Sequence, residues 1–423
     1  MERMNSWSSS VVSRNSSTLS RRISHHVDDD VESETVSEAG DIGDRALHSR
    51  RHSESSSFQL PNDRTATTRV IDRNPASNFE ERVDQEDIKN ESDRELPKIF
   101  NYASCLIQLA VLGILGVLTR FLLQKLFGQV AGVTNDQTII YPDLPSNMVG
   151  SFLMGWFGVV FKQDISNVSE HLAIALTTGY LGSLTTFSGW HQKMLELGVS
   201  GHWLFTVLGF LIGLFLVAYS IIFGVETAKG FKWLLGKLKM SSGSQNHSSK
   251  FNWKVAKRTH RLAVMVFFLI MLGLLWGVSG ALVAREFKHG GSAAELWFAC
   301  MVGPLGVWIR WLLARLNGRG IGREGLFKWI PFGTLIANVS AAWTMTALAT
   351  VKKSVNTKKC DTVVTGVQFG LLGCLSTVST FAAEFNAMRE SRHPWRAYLY
   401  AMLTICVSFI FGILLYAIHV WKM

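Results

Sequence analysis

From Lys98 to its end the chain is short of negative charge, holding 12 acidic residues against 29 basic ones, whereas residues 1–97 hold 20 of the 32 acidic residues and 13 of the 42 basic ones. Within the apolar stretches little carboxylate is present beyond Glu384, which leaves few groups able to carry a proton across a membrane. The five cysteines (Cys105, Cys300, Cys360, Cys374 and Cys406) include no CxxC pair and no Cys/His spacing for a metal, so they read as small apolar side chains. No nucleotide-binding loop is visible. The first 30 residues contain no apolar core, which excludes a cleavable secretory signal and leaves the first membrane helix to direct insertion. Residues 1–97 lack any apolar run longer than a few residues, and so rich a mixture of Ser, Arg, Asp and Glu reads as a disordered cytosolic tail.

What is abundant is apolar surface. The 423 residues are 48% hydrophobic and include 14 Trp and 26 Phe, too apolar a composition for a soluble protein of this length. About 20 apolar residues cross a bilayer, and nine stretches qualify: 102–127, 144–162, 171–194, 202–224, 262–284, 293–315, 329–351, 362–386 and 397–420. They divide as four, one, four. Lys and Arg mark cytosolic loops, and between the fourth and fifth stretches Lys229, Lys232, Lys237, Lys239, Lys250, Lys254, Lys257, Arg258 and Arg261 face Glu226 alone. Alternation then also places the tail, Arg315, Arg319, Arg323 and Lys328, and Arg389, Arg392 and Arg396 inside. Lys352, Lys353, Lys358 and Lys359 fall outside, against the rule.

The two groups of four repeat one another. "GILGVLTRF" (113–121) parallels "GPLGVWIRW" (303–311), Asn147 in "PSNMVGSF" parallels Asn338 in "TLIANVSA", and "GSLTTFSGW" (182–190) parallels "GCLSTVSTF" (373–381), at offsets of 190, 191 and 191 residues. Such a register marks duplication. Because one span separates the copies, the second traverses the membrane upside down, an arrangement that in transport proteins places a site at the repeat interface. The fold expected is all-α: nine transmembrane helices as two inverted four-helix repeats joined by one linking helix, the third helix of each repeat broken. Its parts are the tail 1–97, a first repeat 98–225, a basic cytosolic linker 226–261, a linking helix 262–285 and a second repeat 290–423.

The Gly-Ser-Leu-Thr-Thr run sits where hydrocarbon tolerates no unpaired backbone, so a helix broken there needs protein or a watery path beside it. Small polar residues in one membrane helix more often serve close packing, which is the reading for Gly209 with Gly213 and for Gly366 with Gly370. Two copies in inverted register favour a functional break.

These motifs resemble the Fluc/CrcB fluoride channel family, specifically its fused two-domain eukaryotic form. The family carries "GxxGxxxR" on the first span, "NxxGSF" on the second and "GxxTTFSxFSxE" on the broken third, and the resemblance covers about residues 105–420. It implies that Gly182 and Thr185, with Gly373 and Ser376, offer main-chain carbonyls to a structural sodium ion. It implies a fluoride pore lined by Asn147, Asn338, Phe187, Phe381, Thr186, Ser188, Tyr400 and Thr404, with Arg120 and Arg310 either attracting the anion or snorkelling to the surface. The family's two aromatic positions turn ring edges, the positive rim of the quadrupole, toward fluoride. Here the first copy has Phe187 and Trp190, and the second has Val378 and Phe381. Pairing the first position of one copy with the second of the other gives Phe187 with Phe381 in one pathway, and Val378 with Trp190 in a degenerate one. Glu384 keeps the family's acidic residue, whereas Lys193 replaces it in the first copy.

The resemblance implies a passive, fluoride-selective channel exporting the ion from the cytosol, a non-enzyme whose partners are fluoride and membrane lipid, with no nucleic acid, working as a single chain. Usefulness of export places it in the plasma membrane with its N-terminus in the cytosol. The alternative from another class is a proton-coupled small-molecule antiporter built from inverted repeats, for which Glu384 is the available carboxylate.

Overall fold

A computed structural model describes residues 98–135, 139–241, 258–288, 290–317, 327 and 329–421. The tail 1–97 and the basic residues Lys250, Lys254, Lys257, Arg319, Arg323 and Lys328 lie outside the described residues. Among those described the protein is all-helical, and seven helices are long and apolar enough to cross a membrane, which makes this a multi-pass membrane protein.

The first half opens with α1 (Lys98–Lys125), followed by α2 (Leu144–Met154), which widens into a π-helical turn at Gly155–Val160. A short α3 (Lys162–Val168) bends by 66° from it, and counting that pair as one span raises the number to eight. The third span is divided. Its first part is α4 (Glu170–Ile174), a π-helical stretch Ala175–Leu181 and a last turn Gly182–Leu184, and its second part is α5 (Phe187–Val199). Neither part reaches the length of a span alone. The fourth helix, α6, runs Trp203–Ser241, well past the end of its apolar stretch at 224, so Lys229, Lys232 and Lys237 continue a helix in place of the loop expected there, and Lys232 pairs with Asp164 at 2.8 Å.

After α7 (Arg258–Glu286) the pattern returns as α8 (Ser292–Ala314), α9 (Phe332–Val355), α10 (Lys358–Val367) with a π-helical stretch Gln368–Leu372 and last turn Gly373–Leu375, then α11 (Ser379–Glu390) and α12 (Trp395–Trp421). The halves interlock. α1 packs on α8; α5 packs on α9 and α12, and α11 in return packs on α2 and α6. α7 leans on α1 and α8 and leaves Phe267, Ile270 and Leu274 exposed, as a helix facing lipid does. The glycines read as packing positions are that: a Cβ on Gly213 would meet the Trp190 ring, and one on Gly366 or Gly370 would meet Phe298 or Ala299.

Candidate anion pathway between the two halves

Both third helices are interrupted inside the protein. At Thr185 and Thr186 the backbone is extended (φ −101°, ψ 147°; φ −141°, ψ 127°), and Ser376 is extended too (φ −81°, ψ 158°), so the helix stops after Leu184 and Leu375 and restarts at Phe187 and Ser379. The last turns before the two breaks touch each other. Buried backbone needs partners, and here the halves supply them reciprocally. Val378 and Ser379 amides donate to Thr185 Oγ1 at 3.2 and 3.0 Å, while the Ser188 amide donates to Ser376 Oγ at 3.1 Å. Around these lie two hydroxyl clusters, Thr185–Thr377–Ser379 and Thr186–Ser188–Ser376, with oxygens 2.9–3.4 Å apart. They occupy corresponding positions of the two copies.

Asn147 and Asn338 close the breaks from the second helix of each half. The Thr186 amide donates to Asn147 Oδ1 at 2.8 Å, and Asn147 Nδ2 returns a bond to Thr186 O at 3.1 Å. The Thr377 amide and carbonyl make the same pair with Asn338 at the same distances. Asn147 Nδ2 also donates to the Tyr141 hydroxyl at 3.2 Å, whereas the position corresponding to Tyr141 in the second half is Phe332. Tyr141 carried no motif, so sequence reading passed over it.

The arginines lie deep inside, with 1% of Arg120 and 4% of Arg310 exposed, so neither snorkels. What draws them is the π-helical stretch. The Gly182 amide still reaches back five residues to Thr177 O, and the Gly373 amide to Gln368 O. When α spacing resumes, the carbonyls skipped are those of Thr178 and Phe369, an orphaned acceptor in each half. Arg310 Nη2 donates to Thr178 O at 2.7 Å while its Nε donates to Cys374 O at 2.7 Å, and Arg120 Nη2 donates to Phe369 O. Each guanidinium thus bonds the broken helix of the opposite half. It lies against a glycine there, since a Cβ on Gly182 would fall on Arg310 and one on Gly373 would fall on Arg120.

Four further carbonyls lose their helical partners. The amides four residues after Gly182, Thr185, Gly373 and Ser376 are those of Thr186, Gly189, Thr377 and Thr380, and they donate instead to Asn147, Thr186 Oγ1, Asn338 and Thr377 Oγ1. Oxygen-only donors released at one helix contact fit a hard cation such as sodium. Among the described residues no group of three or more His, Cys, Asp or Glu could hold a metal.

The aromatics expected in two separate pathways touch one another, Phe187 meeting Trp190 edge to face at 5.9 Å. Phe187 and Phe381 rings stand 6.3 Å apart and tilted by 44°, and Phe381 meets Tyr400 at 5.2 Å. Tyr400 donates to Glu384 Oε2 at 2.7 Å, and Thr334 donates to Glu384 Oε1 at 2.5 Å, so both carboxylate oxygens are engaged. Thr404 lies one turn on, its hydroxyl donating to Tyr400 O at 2.9 Å. Trp190 and Val378 belong to one core cluster that also holds Phe187, and the indole stacks on Tyr141 at 5.9 Å and tilts against Phe210 at 5.6 Å.

Among the described residues this is an all-helical membrane protein whose two broken helices meet inside it, and comparison with known proteins gives it a family. The family model described as CrcB-like protein, Camphor Resistance (CrcB), matches residues 107–225 and again 297–416, and the chain belongs to that family. It is 26% identical over 310 residues to Fluoride export protein 1 of Schizosaccharomyces pombe, covering 68% of this chain and 91% of that one. It is also 32% identical over 122 residues to the Fluoride-specific ion channel FluC of Shewanella sp. (strain ANA-3), covering 29% of this chain and 93% of that one. No solved structure matches the chain.

Proposed function

We propose that this protein is a passive fluoride-selective channel, and not an enzyme, that exports fluoride from the cytosol. The observation that carries this reading is the meeting of the two broken helices with Phe187 and Phe381 ring to ring beside them, in a chain of the CrcB-like family. Ring edges present a weakly positive rim that substitutes for part of a lost hydration shell without holding the ion tightly. With the cell interior negative, the potential drives an anion outward by about 2.3 kcal/mol per charge for each 100 mV, so no pump is needed.

The chain is organised as nine spans, two inverted four-helix repeats (98–225 and 290–423) around the linking helix 262–285, with the linker 226–261 and the tail 1–97 on the cytosolic side of the plasma membrane. One chain in lipid suffices, because each half supplies what the other lacks. A sodium ion held by the carbonyls of Gly182, Thr185, Gly373 and Ser376, whose helical donors bond elsewhere, would tie the two halves together. One pathway conducts, through Phe187, Phe381, Tyr400 and Thr404, with Thr186, Ser188, Asn147 and Asn338 fixing the break beside it and Arg120 and Arg310 adding positive potential. The other is filled: Trp190 occupies the space left by Gly213, and Lys193 stands where the second half has Glu384.

Fluoride efflux from liposomes holding the purified full-length chain tests this. Efflux that persists in Glu384→Gln, or after collapse of the proton gradient, is expected of a channel. Efflux that needs the gradient and the carboxylate would instead mark a proton-coupled antiporter.

A further inference from the structure

The far end of α6 carries an apolar seam that outruns its partner. Within the bundle Val217, Ile221, Gly224 and Ala228 alternate four and three residues apart, and all four are buried. This is the spacing by which one helix seats along another. Here it seats α6 on α2 and its π-helical turn, where a Cβ on Gly155 would fall on Ile221 O and the Val225 amide. Phe231, Leu235 and Leu238 continue the same spacing beyond the bundle. Phe231 still meets Trp156 at 5.4 Å and Phe161 at 6.3 Å, but 38% of Leu235 and 58% of Leu238 are exposed, and a Cβ on Gly230 or Gly236 would meet nothing within 4 Å. From Glu226 to Ser241 the helix has four lysines and that one carboxylate. Lys232 borders the seam, and Lys229 and Lys237 stand exposed further round the helix.

An apolar seam in a basic setting suits a lipid surface, a second copy or an acidic segment of the chain, and its placement selects among them. α6 is one helix of 39 residues, roughly 58 Å long at 1.5 Å per residue against a hydrocarbon core of about 30 Å, so its end runs away from the headgroups instead of along them. A second copy would set lysines against lysines. Residues 27–44, in contrast, hold eight carboxylates and no Lys or Arg, with Val27, Val31, Val36 and Ile42 among them. They also join the bundle at the right end. α4 runs parallel to α1, since Gly179 lies against Leu109 while Gly116 lies against Tyr180 and Leu184, so Glu170 and Lys98 share one end. Asp164 on the adjoining α3 pairs with Lys232, which puts the seam at that end too. Asp44 stands 54 residues before Lys98, enough chain to reach about 180 Å when extended, so length does not limit the contact.

We infer that residues 27–44 dock on the end of α6, with their apolar side chains on Phe231, Leu235 and Leu238 and their carboxylates in the field of its lysines. The contact does not depend on what the pathway conducts. Because α6 packs on α2, which carries Asn147, it places the N-terminal segment one helix away from the broken spans.

Hydrogen exchange read by mass spectrometry tests this on the full-length chain, one copy per phosphatidylcholine nanodisc, each variant matched to the parent in thermal midpoint. Amides of residues 231–241 should exchange about tenfold more slowly in the parent than in a chain lacking residues 27–44. The difference should close in about 1 M salt, where charges are screened beyond about 3 Å. Asp28→Lys with Asp29→Lys and Asp30→Lys should remove the protection without shortening the chain, and Lys229→Glu with Lys237→Glu should remove it from the other side while sparing the Lys232–Asp164 pair. Equal exchange in parent and deletion, or protection that survives both charge reversals, overturns the docking. Protection that arises only when phosphatidylserine is added marks a lipid surface, and protection that arises only with two copies per disc marks a second chain; either result overturns it as well.

Discussion

Arg310 Nη2 donates to the carbonyl oxygen of Thr178 at 2.7 Å, joining residues that lie 132 apart in sequence and in different halves of the chain. Arg120 repeats the contact with Phe369 from the other side. Each bond ends on a carbonyl that a π-helical stretch has skipped, and each guanidinium stays buried as a result. The pair holds the two halves in register around the breaks, so the geometry of the pathway depends on residues that need not touch the ion.

Arg310→Gln should therefore lower unfolding stability by about 2–4 kcal/mol, the worth of charged hydrogen bonds lost to buried acceptors. Arg310→Lys should rescue little, because one ammonium cannot span Thr178 O and Cys374 O as the planar fork does. Thermal unfolding in detergent checks both, and a lysine variant as stable as the parent would contradict the role.

Glycine at 182 and 373 follows from the same contact. Gly182→Ala and Gly373→Ala place a methyl on a guanidinium and should cost about 1–3 kcal/mol each, with loss of fluoride efflux. Gly273→Ala and Gly277→Ala on α7, where nothing lies within 4 Å, should leave stability unchanged or slightly raised. The four variants compared side by side in thermal unfolding separate a specific clash from a general intolerance of substitution.

The proposed sodium site is tested by exchanging the cation. Replacing sodium with N-methylglucamine at equal ionic strength should lower the thermal midpoint by a few degrees, since a ligand bound only by the folded state stabilises it by RT ln(1 + [L]/Kd). Thr185→Ala and Ser376→Ala retain the carbonyls and should keep that dependence. An unfolding midpoint indifferent to sodium would remove the ion from the account.

How much of this was legible in the sequence differs by residue. The breaks were, because a Gly-Ser-Leu-Thr-Thr run recurring at a fixed offset contradicts the apolar helix around it, and backbone at Thr185 and Ser376 is extended. So was the ring contact of Phe187 with Phe381. The destination of the arginines was not, since nothing in "GILGVLTRF" reveals a π-helical stretch in another helix whose skipped carbonyl awaits a donor. Nor was the full length of α6: an apolar run ends at 224, but helix propensity and i,i+3 pairing of Lys229 with Glu226 carry the helix on to Ser241.

The central claim is that fluoride crosses through one pathway, where Phe187 faces Phe381, and that the corresponding route past Trp190 and Val378 is closed. The direct measurement is fluoride efflux from liposomes holding Phe381→Ile or Trp190→Ile protein, each matched to the parent in amount and folding. Phe381→Ile should abolish most of the efflux, about tenfold or more, and Trp190→Ile should leave it within about twofold. Equal losses in the two variants, or a loss confined to Trp190→Ile, would contradict the claim.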